Sequence, residues 1–287
     1  MGKLTNLSVI RNAVSEANFY FKKDLGQNFL IDSNIAENIA GACLEDDPDT
    51  ILEIGPGLGA LTELLCESGK EIIAAEIDPF AVRMLTKFLG DAPNLTIVHS
   101  DIMKTDLNEI LKNSSGRICA VSNLPYNLTT PIIMKLLESD IKFVSMTLMM
   151  QKEVAERMTS EISSKNTSAF SLIVSWYAQA ELLFSVSKNV FYPSPKVDSA
   201  VIKLRSRPAP PVEVIDRSLL FRTIKGGFAM RRKQLINCIA SAFALSKQTA
   251  SDLLVQSEID PQARAETLSL AQFAVLSDNL YLHLNRK

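Results

Sequence analysis

The segment 53–60, Glu-Ile-Gly-Pro-Gly-Leu-Gly-Ala, constrains the fold of this chain more than any other segment. It overlaps the end of a short apolar run, 50–54, which stops at a glycine as a buried strand does, and it leads into helical apolar spacing at 58–68. Glycines at such a turn let the backbone bend sharply and let a ligand approach without a clash against a Cβ atom. The pattern therefore predicts a strand, a ligand-binding turn and a helix in succession.

Strand-like and helix-like segments alternate through the first half of the chain. Strands are predicted at 50–54, 72–77, 95–99, 118–122 and 143–150, and helices at 34–44, 58–68, 79–89 and 131–137. This alternation indicates an α/β fold in which a parallel sheet carries helices on both faces. The apolar stretch 169–186 contains Gln179 and Glu181, so we interpret it as a buried helix leading into a strand and not as a membrane span.

A proline-rich segment divides the sequence. A strand-like run at 200–204 leads into 205–211, Arg-Ser-Arg-Pro-Ala-Pro-Pro, in which neither a strand nor a helix can continue. Helical patterns follow at 219–228, 232–243, 247–255 and 270–282, with Ser246 and Ser269 as expected N-caps. We predict a first domain at 1–206 and a smaller all-α domain at 207–287.

Charge is distributed unevenly along the chain. The formal net charge of the 287 residues is -2, but the residues up to Leu204 carry 18 basic and 25 acidic side chains, and those beyond it carry 12 and 7. A basic second domain fits an anionic partner, although ordinary scatter of surface charge accounts for these counts equally well.

The cysteines and the amino terminus predict the compartment. The cysteines form no C-x-x-C pair, so neither a zinc site nor a disulfide framework is expected at Cys43, Cys66, Cys119 and Cys238. The amino terminus shows no basic start followed by an apolar run, so no secretory signal is expected. We expect a cytoplasmic protein that has no metal ion and does not cross a membrane.

Two acidic residues end successive predicted strands. Glu76 follows Gly55 by 21 residues, at a position where a carboxylate can accept hydrogen bonds from ribose hydroxyls. Asp101 ends the next strand and can accept a hydrogen bond from the amino group of an adenine. Because parallel strands end at the same edge of a sheet, both acids are expected near Gly55 and Gly57. The pattern predicts a nucleotide-like cofactor, and both NAD and S-adenosylmethionine fit it.

The tetrapeptide Asn-Leu-Pro-Tyr follows the fourth predicted strand. The Asn123 amide oxygen and the Leu124 carbonyl can accept both hydrogens of an exocyclic amine, which exposes the nitrogen lone pair. Pro125 stiffens the turn, and Tyr126 offers a face on which a flipped-out base can stack. The alternative is an ordinary turn with an aromatic residue at its rim. Together with Glu53 before the glycines, the tetrapeptide favours S-adenosylmethionine and methyl transfer to adenine.

Taken together, the motifs resemble the small-subunit ribosomal RNA adenine N6-dimethyltransferase family (KsgA), from about Lys22 to beyond Leu235. The similar segments are 22–30, Lys-Lys-Asp-Leu-Gly-Gln-Asn-Phe-Leu; 53–57, Glu-Ile-Gly-Pro-Gly; 76–78, Glu-Ile-Asp; 100–101, Ser-Asp; and 123–126, Asn-Leu-Pro-Tyr. The resemblance implies a Rossmann-like S-adenosylmethionine-dependent methyltransferase domain with a small C-terminal all-α domain.

The resemblance also implies roles for individual residues. Cofactor contacts are implied at Asn28, Leu30, Gly55, Gly57, Glu76, Asp101 and Asn123, and catalytic roles at Asn123, Leu124, Pro125 and Tyr126. The segment 191–201, Phe-Tyr-Pro-Ser-Pro-Lys-Val-Asp-Ser-Ala-Val, is similar to the one that supplies a second stacking aromatic, Phe191. The segment 228–235, Phe-Ala-Met-Arg-Arg-Lys-Gln-Leu, is similar to the family's basic helix and implies RNA contacts from Arg231, Arg232 and Lys233.

The activity that the resemblance implies is N6,N6-dimethylation of adjacent adenosines in the 3′-terminal hairpin of 16S ribosomal RNA, which contributes to small-subunit biogenesis. The implied partners are the small ribosomal subunit and its RNA, and we expect a monomer. Three alternatives stay open: an Erm-type large-subunit RNA methyltransferase, an assembly or transcription factor whose catalysis is incidental, and a Rossmann oxidoreductase that binds NAD. The last gives no reason for the Asn-Leu-Pro-Tyr segment.

Overall fold

The structure is a computed structural model. The residues that it describes are 4–16, 27–230 and 232–285. Two compact units divide the chain, the first formed by Met1–Ala155 and Glu181–Ser206 and the second by Glu156–Ala180 and Arg207–Lys287. The domain boundary predicted after residue 206 is one of the points at which the chain passes from the first unit to the second. Residues 156–180, which that boundary places in the first domain, belong to the second unit.

The described residues form nine strands and twelve α-helices. The strands are β1 Phe29–Leu30, β2 Thr50–Ile54, β3 Glu71–Glu76, β4 Leu95–His99, β5 Ile118–Asn123, β6 Phe143–Gln151, β7 Ala178–Val186, β8 Phe191–Tyr192 and β9 Ser199–Ser206. The α-helices are α1 Leu7–Glu16, α2 Ser33–Leu44, α3 Thr62–Glu67, α4 Pro79–Leu89, α5 Leu107–Ile110, α6 Thr129–Glu138, α7 Lys152–Thr159, α8 Ala169–Tyr177, α9 Arg217–Gly227, α10 Leu235–Phe243, α11 Lys247–Gln256 and α12 Leu270–Leu284.

A seven-stranded sheet in the order β4-β3-β2-β5-β6-β9-β7 forms the centre of the α/β fold. Strands β2 to β6 run parallel, and β9 pairs antiparallel with β6, so the sheet is mixed. Every residue of β2 is buried, as expected for a strand that is covered on both faces. The predicted α/β class with a helical C-terminal region is confirmed.

The strand order creates a switch point between β2 and β5. The chain moves outward from β2 through β3 to β4, and then returns to the other side of β2 as β5. The connections that leave β2 and β5 therefore diverge, which opens a crevice at the carboxyl ends of these strands. Ile54 pairs with Ser122, and the Ser122 hydroxyl donates a hydrogen bond of 2.6 Å to the Ile54 carbonyl. The glycine turn and the Asn-Leu-Pro-Tyr segment thus begin side by side.

Local sequence signals explain the start of α4. The Asp78 side chain accepts a hydrogen bond from the Phe80 amide, and Pro79 occupies the first turn, where its missing N–H costs nothing. The helix spans the predicted residues 79–89. The apolar stretch 169–186 forms α8 followed directly by β7, which confirms its interpretation as a helix leading into a strand.

In the second unit, the predicted N-caps are confirmed. The Ser246 hydroxyl accepts from the Thr249 amide, and Ser269 forms a reciprocal capping box with Gln272. The predicted helix at 232–243 starts too early, because α10 begins only at Leu235. Residues 232 and 233 lie in an exposed turn, since a run of basic residues has no apolar face to pack.

The glycine pair at the end of α9 serves helix packing. A Cβ atom added at Gly226 would lie 2.7 Å from the Ala242 Cβ atom of α10, and one at Gly227 would lie 3.1 Å from the Phe273 ring of α12. From the sequence we also expect this pair to let a partner approach the backbone, and that expectation stays a prediction. Its small size allows the helices of this unit to pack closely.

Candidate active site

A cavity lies at the carboxyl ends of β2, β3 and β5, where the switch point places the crevice. The predicted site residues that line it are Asn28, Leu30, Gly55, Gly57, Glu76, Asn123, Leu124, Pro125 and Tyr126. Strand register explains part of this convergence. Glu53 pairs with Ala74 on β3 and with Val121 on β5, and side chains two residues apart share a face of a sheet. Glu53, Glu76 and Asn123 therefore project from the same face.

The glycine turn shapes the floor of the cavity. Gly55 and Gly57 have φ angles of +65° and +59°, which side chains with a Cβ atom rarely adopt. A Cβ atom at Gly55 would meet nothing within 4 Å, so the backbone there faces open space. At Gly57 it would lie 3.1 Å from the Phe29 ring. One glycine leaves room for a ligand, and the other makes room for β1.

Glu76 supports the glycine turn as well as facing the cavity. Its Oε2 atom accepts from the Gly57 amide at 3.0 Å, and its Oε1 atom accepts from the Asp78 amide at 2.8 Å. Burial raises the pKa of Glu76, and these amide hydrogen bonds oppose that rise. Each carboxylate oxygen keeps a second lone pair, so Glu76 can also accept hydrogen bonds from a ligand.

The segment before α2 forms one wall of the cavity. The Gln27 amide donates to the Asp78 carboxylate at 2.5 Å, and Phe29 and Leu30 pair with β8. The Asn28 carbonyl accepts a hydrogen bond of 3.1 Å from the Asn123 side chain, 95 residues away in sequence. Lys22 and Lys23, which belong to the same motif, lie outside the described residues.

The hydrogen bond to Asn28 also orients the Asn123 amide. Because a carbonyl oxygen must face the amide nitrogen and not the amide oxygen, Nδ2 points to Asn28 and Oδ1 points away. No described residue donates to Oδ1. The Leu124 amide donates to the Met149 carbonyl at 2.9 Å, and the Leu124 carbonyl receives no hydrogen bond within the described part of the chain. Two acceptors are thus available next to each other at the cavity.

Tyr126 is held by its hydroxyl, which lies 2.8 Å from Ser199 Oγ. Burial raises the pKa of this phenol, so the side chain is neutral at neutral pH. The Pro125 carbonyl accepts from the Leu128 amide at 3.0 Å, which closes the turn that carries Tyr126. The ring therefore has a fixed position at the cavity, as a stacking platform requires.

The family is decided by comparison with known sequences. A profile described as "Ribosomal RNA adenine dimethylase" matches residues 18–281. The chain belongs to this family. Proteins named "Ribosomal RNA small subunit methyltransferase A" are similar over 284 residues, which are 97% of this chain and 98% of each relative. Those from Streptococcus sanguinis (strain SK36) and Streptococcus pneumoniae (strain Hungary19A-6) are 42% and 41% identical.

Solved structures share the fold of this chain. A dimethyladenosine transferase from Plasmodium falciparum superposes with a TM-score of 0.71 at 23% identity, covering 86% of this chain and 95% of that chain. The 23S rRNA methyltransferase ErmE superposes with a TM-score of 0.67, also at 23% identity, covering 88% and 100%. At these identities the similarity supports the fold alone.

Two residues of this family member that were predicted to bind the cofactor or to act in catalysis do not line the cavity. Asp101 accepts from the Met103 amide at 2.9 Å, and its other oxygen lies 3.5 Å from the Lys104 ammonium. Phe191 is only 3% exposed and packs in a core cluster with Leu30 and Ile39. The two-residue strand β8 turns Phe191 into the core, so its ring is not presented to a base in this structure. The roles of Asp101 and Phe191 stay predictions.

Several other residues line the cavity without a predicted site role, among them Glu53, Leu4 and Ile10. Glu53 is 1% exposed, and its Oε2 atom has no hydrogen-bond partner among the described residues. The sequence does carry a signal for Glu53, because a carboxylate inside an otherwise apolar strand indicates a residue that faces a ligand. Leu4 and Ile10 come from the amino-terminal segment and are also buried. The sequence gives no signal for their position, because it depends on where α1 packs.

Metal-binding and membrane-spanning features are not found in the described part of the chain. No group of three or more His, Cys, Asp and Glu side chains there is arranged to hold a metal ion. No helix among the described residues is long and apolar enough to cross a membrane.

Proposed function

We propose that this chain transfers methyl groups from S-adenosylmethionine to the N6 atoms of two adjacent adenosines in the 3′-terminal hairpin of small-subunit ribosomal RNA. The observation that carries the proposal is the pair of hydrogen-bond acceptors, Asn123 Oδ1 and the Leu124 carbonyl, beside the cavity of the glycine turn. The relatives at 41–42% identity over nearly the whole chain, named as small-subunit methyltransferases, support this substrate over the large-subunit alternative. We propose that it acts in the cytoplasm and contributes to small-subunit biogenesis.

The cavity fits S-adenosylmethionine by its chemistry. Glu76 offers acceptors for ribose hydroxyls, and the open face of Gly55 leaves room for a ligand close to the backbone. Glu53 adds a second buried carboxylate, which suits a ligand that carries positive charge. When bound, S-adenosylmethionine supplies the methyl group. We also assign Asn28, Leu30, Gly57 and Asp101 to cofactor binding, with Asp101 as the acceptor for the adenine amine.

Catalysis by this site rests on positioning. The exocyclic amine of adenine is a poor nucleophile because its lone pair is delocalised into the ring. Asn123 Oδ1 and the Leu124 carbonyl accept its two hydrogens, which hold the nitrogen closer to tetrahedral geometry. Tyr126 stacks on the flipped-out base, and Pro125 keeps the turn rigid. Orientation of both reactants and fixed dipoles then supply most of the rate acceleration.

The experiment that tests this function uses small ribosomal subunits that lack the modification. The protein is incubated with labelled S-adenosylmethionine and either small or large subunits, and the methylated adenines are mapped. We expect two dimethylated adjacent adenosines in the small subunit only. Label in large-subunit RNA would favour the Erm-type alternative. Binding to small subunits without methylation would favour the assembly-factor alternative, and binding of NAD in place of S-adenosylmethionine would overturn the methyltransferase proposal.

We further propose that the basic residues before α10 contact the ribosomal RNA backbone. Arg232 and Lys233 are exposed in the turn that precedes this helix, and Arg231 lies outside the described residues. Such contacts act through charge and carry little sequence information. Replacing all three by Ala should weaken binding to small subunits and flatten its salt dependence, without changing S-adenosylmethionine affinity.

The matched control for this prediction removes three exposed basic residues elsewhere in the second unit. These are Arg217, Lys247 and Arg264. If the control and the 231–233 variant lose the same affinity and the same salt slope, general charge and not this turn attracts the RNA. A titration of S-adenosylmethionine into each variant verifies that the cofactor site is intact.

A further inference from the structure

Glu53 is a buried carboxylate that no described residue neutralises. It lies in β2 among apolar residues, is 1% exposed and lines the cavity. Its Oε2 atom receives no hydrogen bond from the described residues. Buried polar atoms are nearly always paired, so an unpaired one beside a cavity indicates a missing ligand group.

The charged and titratable groups around Glu53 offer no compensation. Glu76 on β3 adds negative charge, and the thiols of Cys43 on α2 and Cys66 on α3 are also close enough to interact with it. No Lys, Arg or His is present among the described residues that line the cavity. Burial raises the pKa of Glu53 to about 8, the Thr62 hydroxyl opposes this rise, and the negative charge of Glu76 adds to it. At neutral pH the carboxyl group of the ligand-free protein therefore carries a proton most of the time.

We propose that Glu53 is the counter-ion for a cationic group of the cofactor and that it releases its proton to solvent when that group binds. The carboxylic acid loses its proton, the carboxylate pairs with the cation, and the buffer takes up the proton. This inference rests on the proposed function, because S-adenosylmethionine carries two cationic groups, a sulfonium and an α-ammonium.

Calorimetry tests the proposal directly. S-adenosylmethionine is titrated into the protein at pH 7 in buffers with different ionisation enthalpies, which gives the number of protons released. We expect nearly one proton per cofactor, and an affinity that rises by about tenfold per pH unit below pH 8. The variant Glu53→Gln should bind more weakly at pH 8, release no proton from this site and lose this pH dependence. Glu67→Gln, which removes an exposed carboxylate of α3, should behave like the parent protein.

Cofactor analogues identify the cationic group. S-adenosylhomocysteine keeps the ammonium but lacks the sulfonium, and 5′-methylthioadenosine lacks both. Proton release with S-adenosylhomocysteine assigns Glu53 to the ammonium, whereas release only with S-adenosylmethionine assigns it to the sulfonium. Release with 5′-methylthioadenosine that is lost in Glu53→Gln would overturn the counter-ion role.

The outcomes separate this inference from the proposed function. If the parent binds S-adenosylmethionine and methylates small subunits, but releases no proton and matches Glu53→Gln in affinity at every pH, the inference fails and the function stands. If the parent does not bind S-adenosylmethionine, both are overturned. A thermal melt of Glu53→Gln at pH 6, where both proteins are neutral at this position, establishes that the variant is folded.

Discussion

The two ends of the central sheet bury polar groups in opposite ways. At the amino end of the parallel strands, Lys203 is completely buried, and its ammonium lies 2.6 Å from Asp46 and 3.2 Å from Glu45 and donates to the Ala42 carbonyl at 2.7 Å. At the carboxyl end, Glu53 keeps an oxygen without a partner among the described residues. The buried ammonium at the amino end is thus fully paired, whereas the buried carboxyl group at the carboxyl end keeps an oxygen that we propose for a ligand group.

The pKa values of the two ends shift in opposite directions. At the amino end, burial alone would raise the pKa of Asp46, but hydrogen bonds from Lys203 and Ser145 outweigh it and lower the pKa. At the carboxyl end, burial raises the pKa of Glu53 because no cation faces it. The two ends of one sheet therefore favour opposite charge states of a carboxyl group.

The largest effect is expected from Lys203→Met at the amino end. The substitution leaves Asp46 with only the Arg205 guanidinium, 3.8 Å away, and removes the ammonium that faces Glu45. Breaking a pair whose ammonium is fully buried costs about 3–5 kcal/mol of stability. Urea unfolding measures the loss, and S-adenosylmethionine affinity should not change. Lys112→Met, which removes an exposed lysine, is the control and should change stability by less than about 0.5 kcal/mol. Equal stabilities of the two variants would show that the network does not stabilise the fold.

Asn123→Ala at the carboxyl end should act on rate and not on stability. Removing one positioned hydrogen-bond partner of the reacting group is expected to lower kcat by about 10²–10³-fold, or roughly 3–4 kcal/mol. Single-turnover methylation measures the chemical step, and subunit binding should stay close to that of the parent. Tyr126→Phe is the matched change in the same turn and should keep most activity, since stacking needs the ring. Near-normal turnover by Asn123→Ala would remove Asn123 from catalysis.

In the ligand-free protein, the contributions of the two ends of the sheet to stability should change with pH in opposite directions. Because the pKa of Glu53 is raised from 4.5 to about 8 in the folded state, folded protein holds a proton between these pH values that unfolded protein has lost. The protonated Glu53 side chain therefore contributes to the free energy of unfolding at pH 4.5, and this contribution declines as the pH rises towards 8. The free energy of unfolding of Glu53→Gln should therefore exceed that of the parent by about 2–3 kcal/mol at pH 8, and the two should be equal at pH 4.5.

Asp46→Asn supplies the matching measurement at the amino end. The pKa of Asp46 is lowered, so its contribution is present at neutral pH and is lost as pH falls through the acidic range. This variant should be less stable than the parent at pH 7 and approach it in acid. If the stability differences of both variants changed with pH in the same direction, the contrast between the two ends would be wrong.

The smallest effect is expected at Glu76. Glu76→Ala should weaken S-adenosylmethionine binding by about 1–3 kcal/mol, because it removes a charged acceptor. It also leaves the Gly57 and Asp78 amides without their acceptor, so a thermal melt must accompany the calorimetric titration. Glu67→Ala is the exposed control. Unchanged affinity in Glu76→Ala would rule out ribose recognition by this residue.

The sequence was sufficient where local signals and the fold agree. The continuous apolar run of β2 predicts a central strand, Asp78 with Pro79 predicts the start of α4, and acidic residues at strand ends predict Glu76 at the cavity. These features follow from strand burial and helix capping, which act within a few residues.

Features that depend on distant packing could not be predicted. The burial of Phe191 follows from its pairing with Leu30, which is 161 residues earlier, and the positions of Leu4 and Ile10 follow from the placement of α1. The unpaired state of Glu53 is likewise visible only once its neighbours on three strands are known. The sequence shows the carboxylate but not the absence of a cation.

The hydrogen bond between Asn123 and the Asn28 carbonyl joins the segment proposed to hold the cofactor to the residue proposed to hold the target base. A group shared by two binding sites makes their affinities interdependent. By thermodynamic linkage, the factor by which bound cofactor strengthens base binding equals the factor by which the bound base strengthens cofactor binding. An enzyme that adds more than one methyl group to a nucleotide must exchange its cofactor between transfers, and this reciprocity then sets how firmly the half-modified base is retained during the exchange.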